Sequence, residues 1–163
     1  MSQANGYIFV RDMLAFKDGY SDNTLSSIVR LGKKYSANKM LVESNFGDGM
    51  VCELFQKHIL QQQASFNTEE IRATSNKEGR IIDALEPLLN QHKLIMDPKV
   101  LDYDFKSNPD VAPDKRLEYT LMYQLSRMCR ERGAVKHDDR VDCLAQGVKY
   151  FVDAVAQSAE RAQ

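Results

Sequence analysis

Apolar positions along the chain follow two rhythms, short β-branched and aromatic runs that predict strands and three-to-four-residue spacings that predict helices. Residues 6–16, GYIFVRDMLAF, read as a strand, closed by the turn KDGYSD. Leu25, Ile28, Val29 and Leu31 then keep helical spacing, which predicts a helix over about 24–35 with Asp22 or Asn23 as its cap. Met40, Leu41 and Val42 suit a buried strand that ends on Glu43 and breaks at once into SNFGDG. Met50, Val51, Leu54, Phe55 and Ile59 mark one face of a helix over 49–63, and a short strand is expected near 70–73.

The segment NKEGRIIDALEPLLNQH, residues 76–92, reads as a helix with Pro87 near its end or at a bend. KLIMD is a further short strand, and DYDFKSNPDVAPDKR, residues 102–116, reads as a loop from its Asn, Asp, Lys and Pro content. Leu117, Leu121, Leu125 and Met128 predict an amphipathic helix stopped by Gly133, and residues 136–163 form the last helix. The order is strand, helix, strand, helix, strand, helix, strand, then two helices. That alternation predicts an α/β layer fold, and 163 residues suit a single domain over 1–163.

Composition narrows this only a little. The chain is 43% apolar and 28% charged with a formal net charge of −1, so no global positive field announces nucleic acid. A local basic patch is still compatible with that balance. Cys52, Cys129 and Cys143 are odd in number and form no CxxC pair, which argues against a zinc site or a disulfide framework and for reduced thiols in a cytosolic protein. No stretch approaches the roughly 18 to 20 apolar residues of a membrane span, and MSQANGY lacks the basic and apolar regions of a signal peptide.

Two short segments carry candidate chemistry. Glu43 would sit at the carboxyl end of a strand, where open α/β sheets place ligands. In HDDRVD, residues 137–142, Asp139 and Asp142 are three apart and share a helix face, with Asp138 about 100° from Asp139. One reading is plain N-terminal capping, because carboxylates favour the first turn. The other is a metal site: grouped carboxylates repel unless a cation neutralises them, and Mg²⁺ or Mn²⁺ takes carboxylate oxygens. Two such ions roughly 4 Å apart can activate water and stabilise a leaving oxygen in phosphodiester cleavage. His137 could hold a water or shuttle a proton, or be polar surface.

The blocks NGYIFVRDMLAFKDGYSDNTL, VESNFGDGM, IRATSNKEGRIIDALEPLLNQHKLIMD and HDDRVDCLA resemble the C-terminal nuclease domain of the large terminase subunit of short-tailed bacteriophages, from about residue 5 to residue 150. The ESNFGDGM block is the most specific. The resemblance implies a ribonuclease-H-like fold and an endonuclease that cuts concematemeric viral DNA during packaging with two divalent metals, Mg²⁺ or Mn²⁺. By motif, Glu43, Asp139 and Asp142 match the catalytic carboxylates, with Asp138 beside them among the metal ligands; which of the three aspartates leads is left open. Asn45 and Asp48, with His137, match the surroundings of the metal, where they would hold water or DNA. Lys77 and Arg80 would meet phosphate or form a solvated helix start, with Lys106, Lys115 and Arg116 weaker candidates. Implied partners are double-stranded DNA, the rest of a large subunit, the small subunit and portal, with self-association as a further route to completion. The implied location is the cytoplasm of an infected or lysogenic bacterial host.

Departures from the family pattern matter equally. No GxxxxGK[ST] occurs, so the chain is not expected to be the packaging motor. Met1 stands just before what looks like the family's third strand, so the first catalytic aspartate has no match and the nuclease domain is expected to be N-terminally truncated, with an incomplete metal site and open sheet edges. A divided gene, a trimmed chain or a decaying prophage gene would each explain that start. The leading expectation is an endonuclease module, incomplete alone; the alternative is a non-catalytic DNA-binding or assembly fragment of a terminase. An unrelated small-molecule enzyme finds neither a Gly-rich cofactor loop nor a nucleophile triad.

Overall fold

A computed structural model describes residues 1–43, 49–72 and 76–161. In chain order the elements are β1 (Ser2–Ala4), β2 (Tyr7–Val10), α1 (Asp22–Lys34), β3 (Lys39–Glu43), α2 (Met50–Gln61), β4 (Asn67–Ile71), α3 (Lys77–Asn90), β5 (Leu94–Met96), α4 (Pro98–Lys106), α5 (Pro113–Arg116), a 3₁₀ turn (Leu117–Tyr119), α6 (Leu121–Arg127) and α7 (Asp139–Arg161). They divide into two compact units, one built from Met1–Met13 with Asn76–Gln163 and the other from Leu14–Ser75. No helix among the described residues is long and apolar enough to cross a membrane.

The first unit holds a mixed sheet in the order β1-β2-β5. Asn5 and Gly6 sit at φ 50° and 78°, the left-handed pair that closes a two-residue hairpin, and so β1 returns antiparallel onto β2. β2 then runs parallel to β5, with Ile8 opposite Leu94 and Val10 opposite Met96. Ile8 and Val10 are buried on one face of β2 and pack with Ile81 and Leu85 of α3, Val100 of α4, Leu121 of α6, and Val141, Leu144, Ala145 and Val148 of α7. The α7 set repeats every three or four residues, which is why one face of this long helix is dry.

The second unit pairs β3 with β4 in parallel, Glu43 opposite Ile71, beneath α1 and α2. Its core is Leu25, Val29, Val42, Val51, Phe55, Ile59 and Phe66. Ser21, one residue earlier than expected, caps α1: its hydroxyl accepts from the Thr24 N–H at 3.2 Å, leaving Asp22 as the first helical residue.

Several expected boundaries move. The strand expected over 6–16 is regular only at Tyr7–Val10, preceded by the unforeseen β1. The strand expected near 70–73 lies at Asn67–Ile71. Residues 98–106, half of them expected as loop, form α4, because Asp97 caps it through the Lys99 N–H at 3.1 Å and Pro98 opens the first turn. That hydrogen bond from the Lys99 N–H also holds the Asp97 carboxyl below its usual range. The helix expected to run from 117 to Gly133 breaks at Thr120 and ends at Arg127, for a reason found in the site below.

Gly32 of α1 lies against the Phe66 ring, where an added Cβ would come within 2.7 Å of Cε1 and 2.8 Å of Cζ. An alanine in a helix interior normally gains up to about 1 kcal/mol over glycine. Here the ring is 4% exposed and cannot swing into solvent, and overpacking costs about 1–3 kcal/mol. Gly32→Ala is therefore expected to lower the urea midpoint; a raised midpoint would show that Phe66 gives way.

Candidate functional site

The start of α7 is fixed from outside its own sequence. The side-chain carbonyl of Gln124, 1% exposed, accepts from the backbone N–H groups of Arg140 and Val141, each at 3.1 Å. Two donors that a helix start leaves open are thereby satisfied by a residue of α6. Arg140 itself turns inward, with Nη1 2.5 Å from Asp104 Oδ1. Asp104, 2% exposed, also accepts from the Leu121 and Met122 N–H groups at 2.7 and 3.1 Å, so a single buried carboxylate caps α6 and anchors α7. This explains the break at Thr120: Asp104 and the Thr120 hydroxyl, 3.3 Å from the Tyr123 N–H, together start a new helix there.

With Arg140 held, successive residues of α7 are placed by the 100° step of the helix. Asp138 and Asp142 turn towards the start of α3. Lys77 Nζ lies 2.8 Å from Asp138 Oδ1 and 3.3 Å from Asp142 Oδ2, and Arg80 Nη2 lies 2.9 Å from Asp142 Oδ1. Gln146 Nε2 also reaches Asp142 Oδ1, at 3.4 Å. Burial is graded, with side-chain exposures of 38% for Lys77, 23% for Asp138, 14% for Arg80 and 7% for Asp142. Burial pulls the Lys77 ammonium downward, but the hydrogen bond to Asp138 and the fields of both carboxylates outweigh it, so its pKa is raised. Its ion pairs thus contribute fully below the unfolded value of 10.5 and are lost as pH rises through the higher folded value.

Local geometry explains why Lys77 stands there. Asn76 adopts φ 65° and caps α3 through its side-chain Oδ1, which accepts from the Gly79 N–H at 3.3 Å. A Cβ on residue 79 would meet the Asn76 amide at 2.5 Å, so glycine leaves room for the cap. Glu78 accepts from the Gly133 N–H at 2.9 Å, and this bond lowers the carboxyl's pKa while tying the loop before α7 to α3.

The remaining expected site residues have separate placements. Asp139 is exposed at the first position of α7. His137 stacks on Tyr119, with centroids 3.9 Å apart. Glu43 is half-buried as the last residue of β3, in the second unit. Asn45 and Asp48 lie outside the described residues. Also in that unit, Glu70 accepts from the Gly49 N–H at 2.7 Å, which fixes the entry to α2. Arg116 is committed to backbone carbonyls, with Nη2 donating to Pro109 at 2.9 Å and Val111 at 3.2 Å. Lys106 and Lys115 are exposed.

Among the described residues no group of three or more His, Cys, Asp or Glu comes together that could hold a metal ion. Asp138 and Asp142 are neutralised instead by an ammonium and a guanidinium. As arranged, these residues do not fit a resident divalent cation. Sequence reasoning missed Asp104, Gln124 and Arg140. One signal was available: Asp104 falls four residues after Val100, on a face that should be apolar.

Fold and site together define an α/β protein in which carboxylates and cations meet at the starts of two helices. The chain belongs to the family described as Terminase Bacteriophage T7, Ribonuclease H-like domain, which it matches over residues 1–94. It is also 42% identical over 161 residues to the terminase large subunit of Enterobacteria phage T3, a match covering 96% of this chain and 27% of that protein. The chain thus spans little more than a quarter of that relative's length. The fold expectation holds in its main part: the architecture is ribonuclease-H-like α/β, with a mixed sheet flanked by helices.

Removing one partner of a buried ion pair strands the other and costs about 3–5 kcal/mol. Arg140→Met is expected to destabilise by that amount in urea unfolding, because Asp104 stays buried and charged. Asp104→Asn with Arg140→Met should recover part of the loss. An Arg140→Met midpoint equal to the parent's would overturn the anchoring role.

Proposed function

We propose that the chain is a nuclease module of a phage terminase large subunit, cutting concatemeric viral DNA during genome packaging in the presence of Mg²⁺ or Mn²⁺. The observation that carries this reading is the meeting of two motif segments: Lys77 lies 2.8 Å from Asp138 and Arg80 2.9 Å from Asp142. Family membership and the likeness to the phage T3 large subunit support it. In this reading Glu43, Asp139 and Asp142 are the carboxylates on which cleavage depends, with Asp138 as a further candidate ligand. Asn45, Asp48 and His137 belong to the polar surroundings. Lys77 and Arg80 set the local charge beside the DNA backbone, where phosphate contacts position a duplex without reading its sequence. The proposed partners are double-stranded DNA, the rest of a large subunit, the small subunit and the portal.

The same ion pairs favour a second reading. Carboxylates already neutralised by side chains suit a non-catalytic DNA-binding or assembly fragment.

Supercoiled plasmid incubated with the chain and Mn²⁺ separates the two. Nicking by the parent chain is expected to fall about a hundredfold or more in both Glu43→Ala and Asp139→Ala, on the scale of removing one group that stabilises a transition state. Salt-sensitive DNA binding without cleavage, unchanged in those variants, would put the second reading ahead.

A further inference from the structure

We propose that two copies of this chain associate reciprocally, the exposed end of α7 in each copy filling an apolar groove between α4 and α6 of the other. The inference goes beyond the nuclease reading and does not depend on it.

Leu101 and Phe105 of α4, Leu117 of the 3₁₀ turn and Met122 of α6 line one hollow of about 400 Å³. Their exposures run from 42% for Leu101 to 62% for Phe105, so four large apolar side chains meet water at a single place. Leu101 and Phe105 are one helical turn apart and share a face of α4. Asp104 and Thr120 also line the hollow, and the α6 N–H groups they accept from fix its floor. A patch of converging apolar side chains on a preformed floor marks an interaction surface.

The matching element is the end of α7. Its core stripe of Val141, Leu144, Ala145 and Val148 closes with Phe151, packed against the same core. The spacing then runs on. Val152 and Val155, 46% and 45% exposed, continue the stripe, with Ala156 beside them. Residues 152–157 are all exposed. A short helical end with no tertiary contact is marginal in water, so this stripe gains stability from a partner.

The tail of α7 is held away from the groove of its own chain. Gln124 of α6 accepts from the Arg140 and Val141 N–H groups, which puts the groove's helix at the start of α7. The helical rise carries Val152 about 17 Å along the axis from Val141. A second copy laid with its α7 antiparallel reverses that offset and brings each tail to the other's groove. Such a two-fold pair is closed and covers both apolar surfaces in both copies. Half-exposed side chains of this size each cover on the order of 100 Å². The four of the groove and two of the tail then give roughly 1,000 Å² over the pair, where specific interfaces begin.

Sedimentation equilibrium of the intact chain tests this. A monomer–dimer equilibrium is expected with a Kd of about 10–100 µM, in keeping with an interface at the small end of the specific range. Phe105→Glu and Val155→Glu should each weaken it about tenfold or more. Both positions are exposed in the single copy, so each variant should keep the parent's urea midpoint. Mixing the two variants should restore part of the association, because one intact tail still meets one intact groove. A parent chain that stays monomeric at these concentrations leaves the groove to a different protein and overturns the inference. So does a dimer indifferent to either substitution. Species that grow past the dimer, or a mixture no better than its components, would overturn the reciprocal arrangement. The plasmid assay is independent: its failure sinks the nuclease reading and leaves the dimer standing.

Discussion

Asp104 is a buried carboxylate that three separate stretches of chain depend on. It caps α6 through two backbone N–H groups, pairs with Arg140 at the start of α7, and sits in α4 one turn after Val100 of the core. A lone carboxylate in such a place would cost several kcal/mol in desolvation. Here every oxygen has a charged or backbone donor, so the group is tolerated and its directionality is exploited. An apolar residue at position 104 could pack against α6 and α7, but it would not dictate where α6 begins or how α7 is rotated.

Rotation of α7 is what the acidic segment needs. Asp138 and Asp142 are joined through the backbone, the Asp142 N–H donating to the Asp138 carbonyl at 2.9 Å, and they fall on the side of the helix away from Arg140. Gln124 fixes the first turn from one side and Asp104 fixes Arg140, so the two aspartates are aimed by residues that carry none of the charge at the site. Asn76, in a left-handed conformation with its amide folded over Gly79, does the same for Lys77. The site is thus assembled by caps: each charged residue lies beside a helix start whose geometry is set by a polar side chain.

That construction explains what was legible in the sequence. Apolar spacing located α1, α2, α3 and α7 and placed Val42 in a buried strand, because those elements are determined by residues close together in the chain. Even the missed hairpin left a local mark in Asn5-Gly6. The break between the 3₁₀ turn and α6 left none, since its cause, Asp104, lies 17 residues before Leu121. The same holds for the partners of the acidic segment: Lys77 precedes Asp138 by 61 residues. The spacing of HDDRVD shows that carboxylates gather on one helix, but it is silent on what neutralises them, and an ammonium, a guanidinium or a metal would leave the same local pattern.

Electrostatics then limits what the cluster can be at any moment. Two aspartates, one lysine and one arginine sum to no net charge, so the described arrangement is complete without an added ion. A neutral cluster has little reason to attract a duplex by itself, so attraction for a DNA backbone would have to come from charges outside it.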